Sequence, residues 1–186
     1  MATITATTFT INDGTTITTA DNTDTLTLKS TDADANVGPN LNFYRNSSSP
    51  ADGDLMGQIK FTGESAGSGI HTYGSIVMQN NGVTDGQEQG KIKFNISMPD
   101  GALANVFDVG RAEITINEDS EDIDFRVESN ANTHMLFVDG GNNRVGIGTT
   151  PDLGAGLHIR TGDSGADAHA NADELVVEGS AHSGIT

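Results

Sequence analysis

The chain has 186 residues, with 9 Lys and Arg against 26 Asp and Glu, for a formal charge of −17. Leu, Ile, Val and Phe make up about 22% of it, just above the ~20% below which highly charged chains stay disordered. A surface this acidic repels a phosphate backbone and argues against nucleic-acid binding. No apolar run approaches the ~18 residues of a helical membrane span, and the N-terminus lacks a basic-then-apolar leader pattern. Without Cys, disulfides and thiolate metal sites are excluded.

The first 31 residues hold 13 Thr. Thr is β-branched and suits a pleated surface, and here it alternates with sparse apolar residues, as in Thr3-Ile4-Thr5 and Leu26-Thr27-Leu28. Asn12-Asp13-Gly14 between Ile11 and Ile17 is hairpin-turn chemistry. Short strands with a tight turn are expected over residues 1–37, and a flexible low-complexity tail is the alternative.

From residue 38 to 130 a strand pattern recurs. Gly57-Gln58-Ile59-Lys60-Phe61 matches Gly90-Lys91-Ile92-Lys93-Phe94, with Gly74-Ser75-Ile76-Val77-Met78 between them and Leu41-Asn42-Phe43 one step earlier. Apolar residues at i and i+2 predict strands with Ile59, Phe61, Ile92 and Phe94 facing inward and Lys60 and Lys93 facing water. Ala51-Asp52-Gly53-Asp54 and Thr84-Asp85-Gly86 supply turns. Near-constant spacing fits a β-meander or a β-solenoid with irregular coils. Ile114-Thr115-Ile116 and Ile123 to Val127 are expected to form a hairpin around Asn117 to Ser120. Met135 to Val138 predicts a further strand, and Ala166 to Glu174 a short helical turn. The fold class is all-β: short strands in meander or solenoid-like repeats.

Apolar residues this sparse give a monomer a weak core. Sharing it among several copies of the chain would relieve the shortage and cover strand edges.

Residues 131–186 contain Asn143-Arg144-Val145-Gly146-Ile147-Gly148-Thr149, then Pro151 and Leu157-His158-Ile159. This resembles a segment of bacteriophage tail fibres and related trimeric surface proteins. Ala172 to Gly179 is similar to another piece found in fibres of marine phages. The resemblance covers about the last quarter of the chain. It implies an intertwined homotrimeric fibre, located on the virion, attached through its N-terminal region to other virion proteins and presenting a distal part to a host receptor. Val145 and Ile147 share one strand face, while Gly146 and Gly148 leave room for another backbone. These four residues are the expected trimer interior. Because the chain stops in mid-pattern at Gly184-Ile185-Thr186, a fragment of a longer fibre is expected.

Other chemistry fits poorly. Gly146-Ile147-Gly148 lacks the third Gly and following helix of a dinucleotide fingerprint. Asp32-Ala33-Asp34-Ala35-Asn36-Val37-Gly38 begins like a calcium loop but has Val37 at position six and Phe43 at position twelve. His71, His134, His158, His169 and His182 show no metal-ligand spacing, and His158 is expected to face outward. The reading is therefore a structural protein, not an enzyme, with no cofactor, catalytic residue or metal ligand, and with no nucleic-acid partner or membrane insertion. The alternatives are a head fibre or capsid decoration protein, a glycan-degrading tailspike and a bacterial adhesin.

Overall fold

The computed structural model describes residues 11, 14–67, 69–165, 167–169, 171 and 174–180. The expectations for Thr3 to Thr5, for the Asn12-Asp13 turn, for His182 and for the chain end at Gly184 to Thr186 lie outside these residues. The chain divides into two compact units, Met1–Phe43 and Tyr44–Thr186. Among the described residues, the second contains every strand and there is no helix.

In the first unit every described residue is exposed and none is in a strand. This corrects the strand expected at Leu26-Thr27-Leu28 and the first repeat step at Leu41-Asn42-Phe43. Alternation alone does not make a strand; a paired edge is needed as well. Local polar bonds organise the backbone instead, with Asp21 Oδ1 accepting from Thr23 N at 3.0 Å and Asp34 Oδ1 from Asn36 N at 2.8 Å.

The second unit begins with a five-stranded antiparallel meander in sequence order: β1 (Leu55–Glu64), β2 (Ile70–Gly82), β3 (Gln89–Ser97), β4 (Leu103–Val109) and β5 (Ile114–Ile116). The expected turns are present, closed by Asp54 N to Ala51 O at 3.2 Å and Gln87 N to Thr84 O at 2.8 Å. The second sheet contains β6 (Phe125–Val127), β7 (Leu136–Asp139), β8 (Arg144–Ile147), β9 (Leu157–Arg160) and β10 (Leu175–Glu178), again in sequence order. Strands β6 to β8 are antiparallel, whereas β8, β9 and β10 run parallel. Meander and solenoid-like ladder are thus both present, one in each sheet.

The hairpin expected between Ile114 and Val127 does not form: β5 closes the first sheet and β6 opens the second. The turn between them explains the switch. Asn117 and Ser120 both have left-handed backbones, at φ 64° and 57°. The Asn117 side chain bridges Glu121, accepting from its N at 2.9 Å and donating to its O at 2.7 Å. That clamp redirects the chain before a second strand can return along β5. The helical turn expected at 166–174 is absent from the described residues there, while 166, 170, 172 and 173 lie outside them.

One face of the first sheet is polar and tightly bonded. Asp108, almost wholly buried, takes Lys91 Nζ at 2.7 Å and Asn105 Nδ2 at 2.6 Å. Burial pushes the Asp108 carboxyl up, but the Lys91 ammonium and the Asn105 amide outweigh it and hold its pKa below the ordinary value. Asp139 is likewise lowered: burial opposes, but bonds from Asn142 and the Arg144 charge prevail. A carboxyl lowered on folding adds stability that is full above its unfolded value near 4 and is lost as pH falls through its folded value. Urea midpoints are therefore expected to hold steady between pH 7 and 5 and to fall below about pH 4. The fall should be shallower in Asp108→Asn, which cannot ionise, and that variant should lose about 2 kcal/mol at pH 7.

Candidate functional site

Residues directly opposite each other on paired strands share a sheet face, so the register maps each face completely. In the first sheet one row reads Ile59, Ile76, Phe94, Phe107 and Ile116 across all five strands. The next reads Gly57, Met78, Ile92, Val109 and Ile114. The second sheet repeats the arrangement with Phe125, Val138, Val145, Leu157 and Leu175, then Val127, Leu136, Ile147, Ile159 and Val177. Each sheet therefore has one continuous apolar face.

Both faces remain open to water in the single chain. Phe61 is 57% exposed, Ile114 66% and Ile147 40%; Ile59, Ile92, Ile96, Val138 and Leu175 are exposed too. The expectation that Ile59, Phe61, Ile92 and Phe94 face inward needs correction. They share a face as expected, but this chain does not cover it. Lys93, expected in solvent, is half-buried on the opposite face. Buried apolar side chains are few among the described residues: Val77, Ala104, Phe137 and Pro151. Ile114 and Ile116 line a groove of about 490 Å³ together with Ile123, Phe125 and Val138, so the two apolar faces meet there.

The short connections of the second sheet explain which side is covered. Parallel neighbours need a crossover, and the β8–β9 and β9–β10 crossovers are coils lying on the face opposite the apolar one. Thr149 and Pro151 are buried there, against Gly146. A Cβ on Gly146 would run into Thr149 O, and one on Gly148 into Arg160 O. Gly148 also has φ +80°, in the left-handed region. The two glycines do admit a close backbone, as their spacing suggested, but the backbone that takes the room is the chain's own. Val145 and Ile147 lie on the apolar face, with Val145 half-buried.

His158 differs from expectation. It is fully buried on the covered face, between Phe137 and Gly146 on one side and β10 on the other. Its Nε2 lies 3.1 Å from Glu178 Oε2 and its Nδ1 3.2 Å from Asp152 Oδ1. Arg160 Nη1 lies 3.2 Å from Asp152 Oδ2, and Ser164 N donates to Glu178 Oε1 at 2.6 Å. The Ser164 bond, the largest influence, and the contacts of His158 and Arg160 keep Glu178 below its ordinary pKa. Outward-facing placement failed because the alternation named the side of the strand but not which side the crossovers would cover. The cluster pins both crossovers to the ladder. The Ser164 hydroxyl donates to Glu178 Oε1 at 2.9 Å.

The 32–38 segment is an exposed turn held by Asp34 and Asn36, and among the described residues no three His, Asp or Glu gather as a metal site. No family model matches the chain, and no curated protein or solved structure is significantly similar to it.

Gly148→Ala combines a disfavoured backbone with a collision at Arg160 O, so it should cost about 2 kcal/mol or more. Thermal unfolding followed by β-sheet circular dichroism checks this. Gly165→Ala, at another positive φ with open space around it, should cost less.

Proposed function

We propose that this chain is a structural, non-enzymatic element of a homotrimeric fibre on a bacteriophage particle. One observation carries the reading: two continuous apolar sheet faces that the chain itself leaves uncovered. Exposed apolar patches of this extent are interaction sites, because water contact costs about 25 cal/mol for each Å² that a partner could cover. A second copy is the partner whose chemistry suits both faces, since an apolar surface is self-complementary. The number three and the phage setting rest on the resemblance of Asn143 to Thr149, with Pro151, to tail-fibre segments. In this reading the region around Val145 to Gly148 forms the shaft interior, with Val145 and Ile147 toward the neighbouring chains. The N-terminal region attaches to the virion, and a distal part meets the host receptor.

Light scattering at micromolar concentration should give a mass of three times 19.3 kDa. Ile147→Asp would place three unpaired carboxylates on the apolar face that assembly buries and should abolish the trimer. Arg144→Ser should leave the mass unchanged, because Arg144 is on the other face and its contact with Asp139 is long, at 3.5 Å. A well-folded monomer, or normal assembly of Ile147→Asp, contradicts the reading.

A further inference from the structure

The sequence contains one Asn-Gly pair, Asn81-Gly82, and it falls where strand pairing lapses. Asn80 pairs with Gly90 and Gly82 with Gln89, so Asn81 is the extra residue of a β-bulge between β2 and β3. On the other side the register of β1 with β2 begins at Leu55 and Gln79, so Asn81 has no strand partner there either. The extra residue of a bulge is left out of the ladder, and Asn81 is exposed.

Asn followed by Gly has a chemistry of its own. A backbone nitrogen that loses its proton to water can attack the side-chain amide of the preceding Asn, and a Cβ on the attacking residue hinders that approach. Gly82 has none. We propose that Asn81 is a site of spontaneous deamidation in the folded chain. Gly82 N bonds to Asn81 Cγ, the Cγ–Nδ2 bond breaks, and the nitrogen leaves as ammonia with a proton from water. Water then opens the cyclic imide. Breaking the new C–N bond gives an aspartate at position 81. Breaking the original peptide C–N bond gives an isoaspartate, whose backbone runs through Cβ. Either product adds one negative charge to a chain already at −17.

The neighbouring Asn80 supplies a contrast within one strand. It precedes Asn81, which has a Cβ, and it is only 9% exposed. Its backbone is held on both sides, with Gly53 N donating to Asn80 O at 3.0 Å and Asn80 N to Asp54 O at 2.9 Å. Beyond the bulge Val83 N donates to Asp52 Oδ1 at 3.0 Å. Asn81 and Gly82 therefore join two fixed points, and the extra backbone carbon of an isoaspartate has to be absorbed between them. Deamidation loosens the junction of β2 with the Ala51 to Asp54 turn, independently of the assembly proposed above.

The test incubates the full chain in mildly alkaline buffer, folded and in urea. Peptide mass spectrometry with electron-transfer fragmentation follows each Asn and separates aspartate from isoaspartate. In the folded chain Asn81 should deamidate about tenfold or more faster than Asn80, Asn46 or Asn142, and Gly82→Ala should slow it about tenfold or more. Its rate when folded should lie within about tenfold of its rate in urea, because the bulge leaves it outside the ladder. In the isoaspartate product, amide exchange at Gly53 and Val83 should quicken. Folded Asn81 reacting no faster than Asn80, or more than about tenfold slower than in urea, overturns the inference. So does an unchanged rate in folded Gly82→Ala, and unchanged exchange at Gly53 and Val83 overturns the loosened junction. The comparison with urea uses the unaltered sequence, so it decides the matter if Gly82→Ala fails to fold.

Discussion

Two sheets, each with a continuous apolar face that its own chain leaves in water, set the terms for everything else in this molecule. A chain with about 22% Leu, Ile, Val and Phe can fill one core or coat two faces, but not both. Here it coats two faces, and among the described residues Val77, Ala104, Phe137 and Pro151 are nearly all the buried apolar side chains. What holds the opposite faces together is polar: the Lys91–Asp108–Asn105 set in the first sheet and the Asp152–His158–Glu178 set in the second. Buried ionic groups of this kind fix geometry more than they add stability. In the proposed assembly, the stabilising apolar burial comes from contacts between chains.

The second sheet shows how sequence decides which face is covered. Its parallel strands are joined by coils rather than helices, and both coils lie on one side. That side needs small residues where the coil crosses, hence Gly146 under Thr149 and Gly148 beside Arg160. It also needs a tether, which His158 supplies with a carboxylate on each side. The other side carries Val145 and Ile147, where nothing crosses. The glycines and the aliphatic residues of one four-residue strand thus serve different partners: the glycines the chain itself, the aliphatic residues whatever covers the open face.

Strand alternation made much of this legible in advance. The repeated Ile-Lys-Phe segments locate β1 and β3, and Asp-Gly locates the turns before β1 and between β2 and β3. Period two separates a strand's residues into two faces but says nothing about which face will be covered, so Ile59 and Phe61 were assigned inward and His158 outward. The Ile114–Val127 hairpin failed for a local reason, because left-handed Asn117 and Ser120 with the Glu121 clamp send the chain into a new sheet. Leu26-Thr27-Leu28 has the alternation of a strand but no edge beside it.

Side-chain footprinting in solution tests the central claim most directly, because it reads the apolar faces residue by residue. A photogenerated carbene at micromolar protein concentration labels side chains in proportion to their contact with water. If other copies cover the faces, Ile59, Ile92, Ile147 and Leu175 should be protected as strongly as buried Val77 and Phe137, while Tyr44 and Ile70 remain reactive. Labelling of those four residues at the level of Tyr44 and Ile70 would show the faces open to water and contradict the account.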